Sequence, residues 1–222
     1  MAKPDYLNIA PMSGSGDGEL NLSVANPQNY TGRLDRTGVV TVSGGGISRE
    51  VSVTCKAPFI AESMGTVSVP AQGGTVHIRY KLNRENFTSI FNLDIAGAVR
   101  GKVYLRKLDE TIITELNISS GPRYDISSHT TDKAVILDVE YTIPANPTTS
   151  ARYDEMTIEI DEGTIITCSI EQSAGSAYLN VSPLNVYFDA EGYVTDSSGI
   201  RVQPLTTTAV VNVTSNVDWS VS

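Results

Sequence analysis

Apolar and polar residues alternate with a period of two along almost the whole chain. The segments ELNLSVA, VVTVS, REVSVTC, TVHIRYKL, KVYLRKL, AVILDVEYTI, MTIEI, TIITCSI and AVVNVTS each send one set of side chains to one face and their neighbours to the other. No stretch sustains the i, i+3, i+4 spacing of an amphipathic helix. Glycine-rich punctuation separates the runs at Ser13–Gly18, Ser43–Gly46, Gln72–Gly74 and Asp161–Gly163, where a positive φ costs little. Short alternating strands with such turns predict an all-β fold made of immunoglobulin-like β-sandwich modules. A length of 222 residues suffices for one to three of them.

The chain also repeats itself. Leu22–Pro58 parallels Tyr141–Ala174: each runs strand, Ala-Asn-Pro, a Ser/Thr-containing loop, an arginine, a strand, a glycine hairpin and a closing strand. Pro27 and Pro147 end their strands because proline lacks the N–H a ladder needs. A weaker repeat relates Thr66–Leu82 to Tyr178–Gly192. The organisation this predicts is two sandwiches. One is continuous and divergent, over residues 59–173. The other combines residues 5–57, here the head, with residues 178–222, the tail. Residues Asn83–Asp132 match nothing else, and are expected to hold three strands with longer loops, SSGPRYDISSHTTD being the most loop-like part.

A half-sandwich exposes sheet edges and one wet apolar face. Head and tail therefore each need a partner, and two arrangements supply one. The tail closes on the head of its own chain, or on the head of another copy. The short connections Pro58–Ser63 and Ser173–Ala177 favour closure within the chain, as does an effective concentration of about millimolar across short linkers. Exchange between copies is a head-to-tail contact and yields rings or fibres.

Charge and motifs exclude several functions. Lys and Arg number 16 against 25 Asp and Glu, a net charge of -9. That balance argues against nucleic acid as a partner, because phosphate contacts need clustered cations. The cations at Arg100, Lys102, Arg106 and Lys107 alternate with Val103 and Leu105 as one solvated strand face. No run reaches the ~20 apolar residues of a membrane span, so no membrane is expected either. The opening MAKPDYLNIAPMSG lacks the apolar core of a signal peptide. Export is then expected through a signal outside this sequence, or through another route such as lysis.

GSGDG at Gly14–Gly18 lacks the Lys-Ser/Thr of a phosphate loop and reads as a turn. His77 reads as a polar-face strand residue and His129 as a loop residue, with no nucleophile motif near either. The acidic pairs Asp17/Glu19, Asp161/Glu162 and Asp189/Glu191 lack the dense alternate-oxygen pattern of a calcium loop and read as solvated turns. The expectation is a protein that is not an enzyme, with no catalytic, cofactor-binding or metal residues and no cofactor. Cys55 and Cys168 read as buried free thiols of different modules. Sugar binding needs exposed aromatic platforms. Tyr30, Tyr124, Tyr153 and Tyr193 stand in or beside loops but are dispersed.

Read tail first and head second, LNVSP…FDAEG…VNVTSNVDWSVS followed by YLNIAPMSGSGDGELNLSVANP…RTGVVTVSGGGISREVSVT resembles a BACON-type domain. The tail is similar to the first half of that family and the head to its second half; together they cover nearly half the chain. Residues 59–173 resemble it only at their edges, and the tryptophan of the first half has no counterpart there. The resemblance implies an immunoglobulin-like sandwich with Trp219 buried in it. Modules of this kind occur in virion proteins of crAss-like phages and in surface glycan-utilising proteins of gut bacteria. It therefore implies a structural protein of the capsid surface, a decoration, auxiliary or head-fibre protein. Its partners would be other virion proteins such as the major capsid protein, copies of itself, and host-associated glycans. The alternative it leaves open is a carbohydrate-binding module of a secreted or cell-surface glycan-utilisation protein.

Overall fold

Eighteen strands account for nearly all the regular structure in the computed structural model, which describes residues 4–120, 122–160 and 163–221. The head carries β1 (Leu7–Ala10), β2 (Asn21–Val24), β3 (Arg36–Gly44) and β4 (Ile47–Cys55). The middle carries β5 (Ala61–Ser63), β6 (Val67–Val69), β7 (Gly74–Leu82), β8 (Asn86–Thr88), β9 (Val99–Arg106), β10 (Ile112–Glu115) and β11 (Arg123–Asp125). A single helical turn, α1 (Ser127–Thr130), then leads to β12 (Val135–Ile143), β13 (Arg152–Ile160) and β14 (Thr164–Gln172). The tail carries β15 (Leu179–Ser182), β16 (Tyr187–Phe188), β17 (Val194–Thr195) and β18 (Asn212–Ser215). The chain is all-β, as the period of two predicts.

Two five-stranded sheets, ordered β10-β9-β12-β7-β5 and β11-β8-β13-β14-β6, form a sandwich from strands between Ala61 and Gln172. The four remaining sheets are two-stranded: β1-β2, β3-β4, β15-β18 and β16-β17. Among the described residues, the strands of head and tail thus ladder only within their own segments.

The chain divides into two compact units. The first comprises the described residues of Met1–Val67, Thr75–Ile143 and Tyr153–Ile170. Its core alternates along each strand: Ile78, Tyr80 and Leu82 on β7, Val103 and Leu105 on β9, Met156, Ile158 and Ile160 on β13. β12 is the exception. Val135, Leu137, Val139, Tyr141 and Ile143 fill one face, yet Ile136 and Asp138 on the other face are buried too. The Asp138 carboxylate is caged, with Arg106 Nε at 2.6 Å and His77 Nδ1 at 2.9 Å. Arg79 Nε lies 3.4 Å away without hydrogen-bonding geometry. A buried charge is tolerable only when neutralised in this way.

The stretch Asn83–Asp132 departs from expectation. It holds four strands rather than three, and its most loop-like part contains β11 and α1. Aromatic packing is the reason. Tyr124 on β11 stacks on Phe87 of β8 with ring centroids 5.1 Å apart, and Phe91 meets both rings. The Asp125 carboxylate then accepts the Ser127 N–H at 2.8 Å and starts the helical turn.

The second unit comprises Ser68–Gly74, Pro144–Arg152 and the described residues of Glu171–Ser222. Buried Asn146 and Gln172 organise it. The Asn146 N–H donates to Ala71 O at 2.7 Å, and its amide donates to Ser150 O and Ser173 O. The Gln172 amide donates to Pro144 O at 2.8 Å. The tail strands follow with few buried side chains, Thr195 being one.

Candidate functional site

Two joints organise the head and the tail. At the first joint, β7 runs into Asn83. Its backbone N–H donates to Ile60 O at 2.9 Å, and its Oδ1 accepts the Ile60 N–H at 3.0 Å. Its amide nitrogen faces Pro58 O at 3.0 Å, Thr31 O at 2.9 Å and Gly32 O at 3.1 Å. The head is thereby tied to the start of β5. Gly32 sits so tightly here that a Cβ would lie 2.5 Å from Thr131 O.

The second joint has the same plan. Asn216 follows β18 as Asn83 follows β7. Its N–H points to Tyr178 O at 3.4 Å, and its Oδ1 accepts the Tyr178 N–H at 2.9 Å. Its amide donates to Ser176 O at 3.0 Å and to Pro147 O at 2.6 Å. Ile60 and Tyr178 are each the residue before a strand; Pro58 and Ser176 each stand two residues earlier. That strand then pairs antiparallel with the end of the strand before the asparagine: Ala61 with Leu82, Leu179 with Ser215. The glycine turns agree as well. Gly73 N–H donates to Pro70 O at 2.9 Å and Gly192 N–H to Asp189 O at 3.0 Å, with φ of 74° and 86°. The tail is built as the opening of another module on the plan of the middle one.

The head corresponds to the close of such a module. β3 and β4 are nine residues each, as are β13 and β14, and both pairs follow an Ala-Asn-Pro corner. What differs is burial. Ile158 on β13 is 1% exposed, whereas Val42 in the matching place on β3 is 49% exposed; Cys168 on β14 is 1% exposed and Val51 on β4 is 42%. In the tail, Val211 is 43% exposed where Ile78 before β7's matching end is fully buried. On the head this face is covered at one end, where Pro4 and Tyr6 lie against Gly38 and Val40 is buried, and exposed at Val42 and Val51.

The residues singled out in the sequence fall as follows. Trp219, expected in the core of the composite sandwich, is 54% exposed. Both thiols are free, but only Cys168 is buried, and burial pushes its thiol up; Cys55 on β4 is half-buried. His77 is not a plain surface residue but a partner of Asp138. The Asp189/Glu191 pair is held by Arg201, which reaches both carboxylates at 2.5 Å and stacks on Tyr193. Tyr30 stacks on Arg36, Tyr124 is buried against Phe87, and Tyr153 is exposed. These tyrosines form no shared platform. The Asp161/Glu162 pair lies outside the described residues. Among the described residues no three His, Cys, Asp or Glu gather as metal ligands, and no helix is long and apolar enough to cross a membrane. The joint asparagines escaped the sequence reading; the letters KLN and TSN carry no signal until the strand pairing is known.

No family model and no curated protein sequence matches the chain. A protein from Bacteroides thetaiotaomicron solved by NMR aligns at 12% identity over 53% of this chain and 89% of its own, with a TM-score of 0.24. The major pilin subunit of Bacillus cereus aligns at 11% identity over 90% of this chain and 66% of its own, with a TM-score of 0.31. Similarity at that level assigns neither a family nor a role.

Proposed function

We propose that this is a non-enzymatic structural protein whose work is assembly, serving as a capsid decoration, auxiliary or head-fibre protein of a virion. The observation that supports an assembly role is the set of exposed apolar side chains on strands of the head and tail, Val42 and Val51 on β3-β4 and Leu179 and Val181 on β15. Exposed apolar surface is a common feature of interaction sites. The placement on a virion rests on the resemblance of head and tail to BACON-type domains, and the major capsid protein is the partner it suggests. The test is to quantify the chain in purified particles by mass spectrometry and to co-sediment purified chain with capsids. Stoichiometric presence and co-sedimentation are expected; absence from the particles defeats the reading.

One observation favours a second reading, a carbohydrate-binding module of a secreted protein. Trp219 is half exposed, and the tail also holds a cleft of about 320 Å³ lined by Pro183, Tyr187, Val194 and Val210 among others. Titration with polysaccharides that quenches Trp219 emission would support it, since indole faces stack on sugar rings.

A further inference from the structure

We infer that the Arg36 side chain, set against Tyr6 and Tyr30 at the start of β3, is a binding site for the carboxylate of a small organic acid. The inference goes beyond the assembly reading and rests on a different part of the head.

Local structure brings the three residues together. The Leu7 N–H donates to Pro4 O at 3.0 Å and the Ala25 N–H to Tyr6 O at 2.8 Å, which fixes Tyr6 at the entry of β1. Tyr30 follows a short 3-10 turn at Pro27–Asn29, and its O–H donates to Leu34 O at 2.6 Å. The guanidinium carbon of Arg36 then lies 4.8 Å from the Tyr6 ring centre and 4.4 Å from that of Tyr30. Gly38, two residues further along the same face of β3, makes room for this packing. A Cβ there would lie 2.4 Å from Pro4 Cγ and 2.8 Å from the Tyr6 phenol oxygen. The rings attract the cation and hold its plane in place.

What this arginine lacks is an anion. Arg33, Arg79, Arg106 and Arg201 each reach a carboxylate. Among the described residues, no carboxylate or carbonyl bonds to Arg36. Its Nε and the Tyr6 phenol oxygen are sealed from solvent without a hydrogen-bond partner, whereas its two Nη are not sealed. The nearby acids do not neutralise it. Asp35 is taken by Lys56 Nζ at 2.6 Å and the Ala57 N–H at 2.9 Å. The Tyr30 phenol stays neutral, because burial, and after it the charge of Asp132, pushes its ionisation up. A partly buried cation with no counter-charge is costly, and an incoming anion relieves that cost. A fork held in plane, with its outer N–H groups open, matches the two oxygens of a carboxylate. A single negative charge suits the surroundings, since a net charge of -9 repels a polyanion. Half-buried Cys55 stands directly opposite Arg36 in the β3-β4 ladder, so the two side chains share one face and the thiol reports on the fork.

Two measurements on the full chain test this. In proton–nitrogen NMR spectra, the Arg36 Nε–H and the ring signals of Tyr6 and Tyr30 are followed as sodium acetate replaces sodium chloride at constant ionic strength. A saturable shift is expected. Arg36→Lys, which keeps the charge and loses the fork, should weaken acetate binding about tenfold, read on the tyrosine rings. The second measurement uses the thiol. Iodoacetate carries a carboxylate and iodoacetamide does not. With either reagent Cys55 Sγ forms an S–C bond as the C–I bond breaks, iodide leaves and the thiol proton passes to the buffer. The ratio of the iodoacetate rate to the iodoacetamide rate at Cys55 should be higher in the native chain than in urea. It should drop when acetate is added, and fall to the unfolded value in Arg36→Gln. Circular dichroism checks that both variants are folded, and the wild-type arms decide where one is not. Absence of a saturable acetate shift, or a native rate ratio equal to the unfolded one, overturns the inference. A response unchanged in both variants overturns the assignment to Arg36. Inorganic phosphate that binds as tightly as acetate overturns the choice of a carboxylate.

Discussion

Replacing Asn83 by alanine should loosen the head from the middle sandwich, at a cost set by the bonds one side chain makes. Asn83 is fully buried. Its amide carries two protons, shared among the carbonyls of Thr31, Gly32 and Pro58, and its Oδ1 accepts the Ile60 N–H. Truncation therefore removes two donated bonds and one accepted bond to backbone groups, together with the bonds Oδ1 accepts from Arg84 Nε at 3.0 Å and Nη2 at 2.7 Å. Each intramolecular bond is worth about 1 kcal/mol net, and a buried group left unpartnered costs ~1–3 kcal/mol. The sum is about 3–5 kcal/mol, a large share of the ~5–15 kcal/mol that holds a typical domain. Asn216→Ala is the internal control. It removes the corresponding backbone contacts at the second joint, fewer in number, and that site is half-buried, so water replaces the lost partners and the cost should be about 1 kcal/mol. The assay is urea unfolding followed by circular dichroism, with limited proteolysis read by mass spectrometry. Asn83→Ala should lower the midpoint clearly and open the connection between β4 and β5 to cleavage, whereas Asn216→Ala should barely move the midpoint. Equal costs for the two variants, or an Asn83→Ala effect within ~0.5 kcal/mol of zero, would refute the reasoning.

Three further outcomes are expected. Asp138→Ala strands Arg106 and His77 beside a buried void and should cost ~3–5 kcal/mol in chemical denaturation, as breaking a buried pair does; a change near zero would mean that water already serves those groups. Burial pushes the Tyr141 phenol from about 10 up to about 12, while its O–H donates to Phe91 O. The folded chain thus holds this proton more tightly than the unfolded chain. The contribution is intact below pH 10 and is lost as pH rises toward 12. Stability should fall over that interval, and Tyr141→Phe should flatten the slope; an unchanged slope assigns the loss elsewhere. Thiol labelling should distinguish the cysteines: half-buried Cys55 reacts in the native protein, whereas Cys168, buried and with its thiol pushed up, reacts only after unfolding. Equal native rates would contradict this.

The long strands were legible because their periodicity is a backbone property. β7, β9, β12, β13 and β14 run eight or nine residues, long enough for alternation to declare itself. β8 and β11 were not legible. Each has three residues, and their pairing depends on Phe87, Tyr124 and Phe91 meeting across tens of residues of chain. Asp138 read as an ordinary outward position in AVILDVEYTI; only the side-by-side order of β9, β12 and β7 puts Arg106 and His77 around it. Arg201 could not be matched to Asp189 and Glu191 before the β17 region folded back on the glycine turn.

The free side of β4 bears most directly on whether the open faces have a purpose. Scattered exposed valines are normal on any protein and need no explanation. On β4, Val51 is exposed and Val53 half-buried, at the positions that hold buried Cys168 and Ile170 on β14. The middle sandwich also shows how this chain treats an edge it intends to leave exposed. Its outermost strands, β5, β6, β10 and β11, have only three or four residues each, and short edge strands offer little to pair with. β14, with nine residues, is not left open but covered by β6. β4 has the same length and the same alternating face, with β3 on one side and no described strand on the other. A long open edge is a liability in a solitary protein and a docking rail in one that assembles; on β4 the charges of Arg49 and Glu50 temper that liability. The edges of the middle sandwich are all short strands, so the long free side of β4 is the first place to test the proposed assembly, by asking whether a charge placed on it abolishes association.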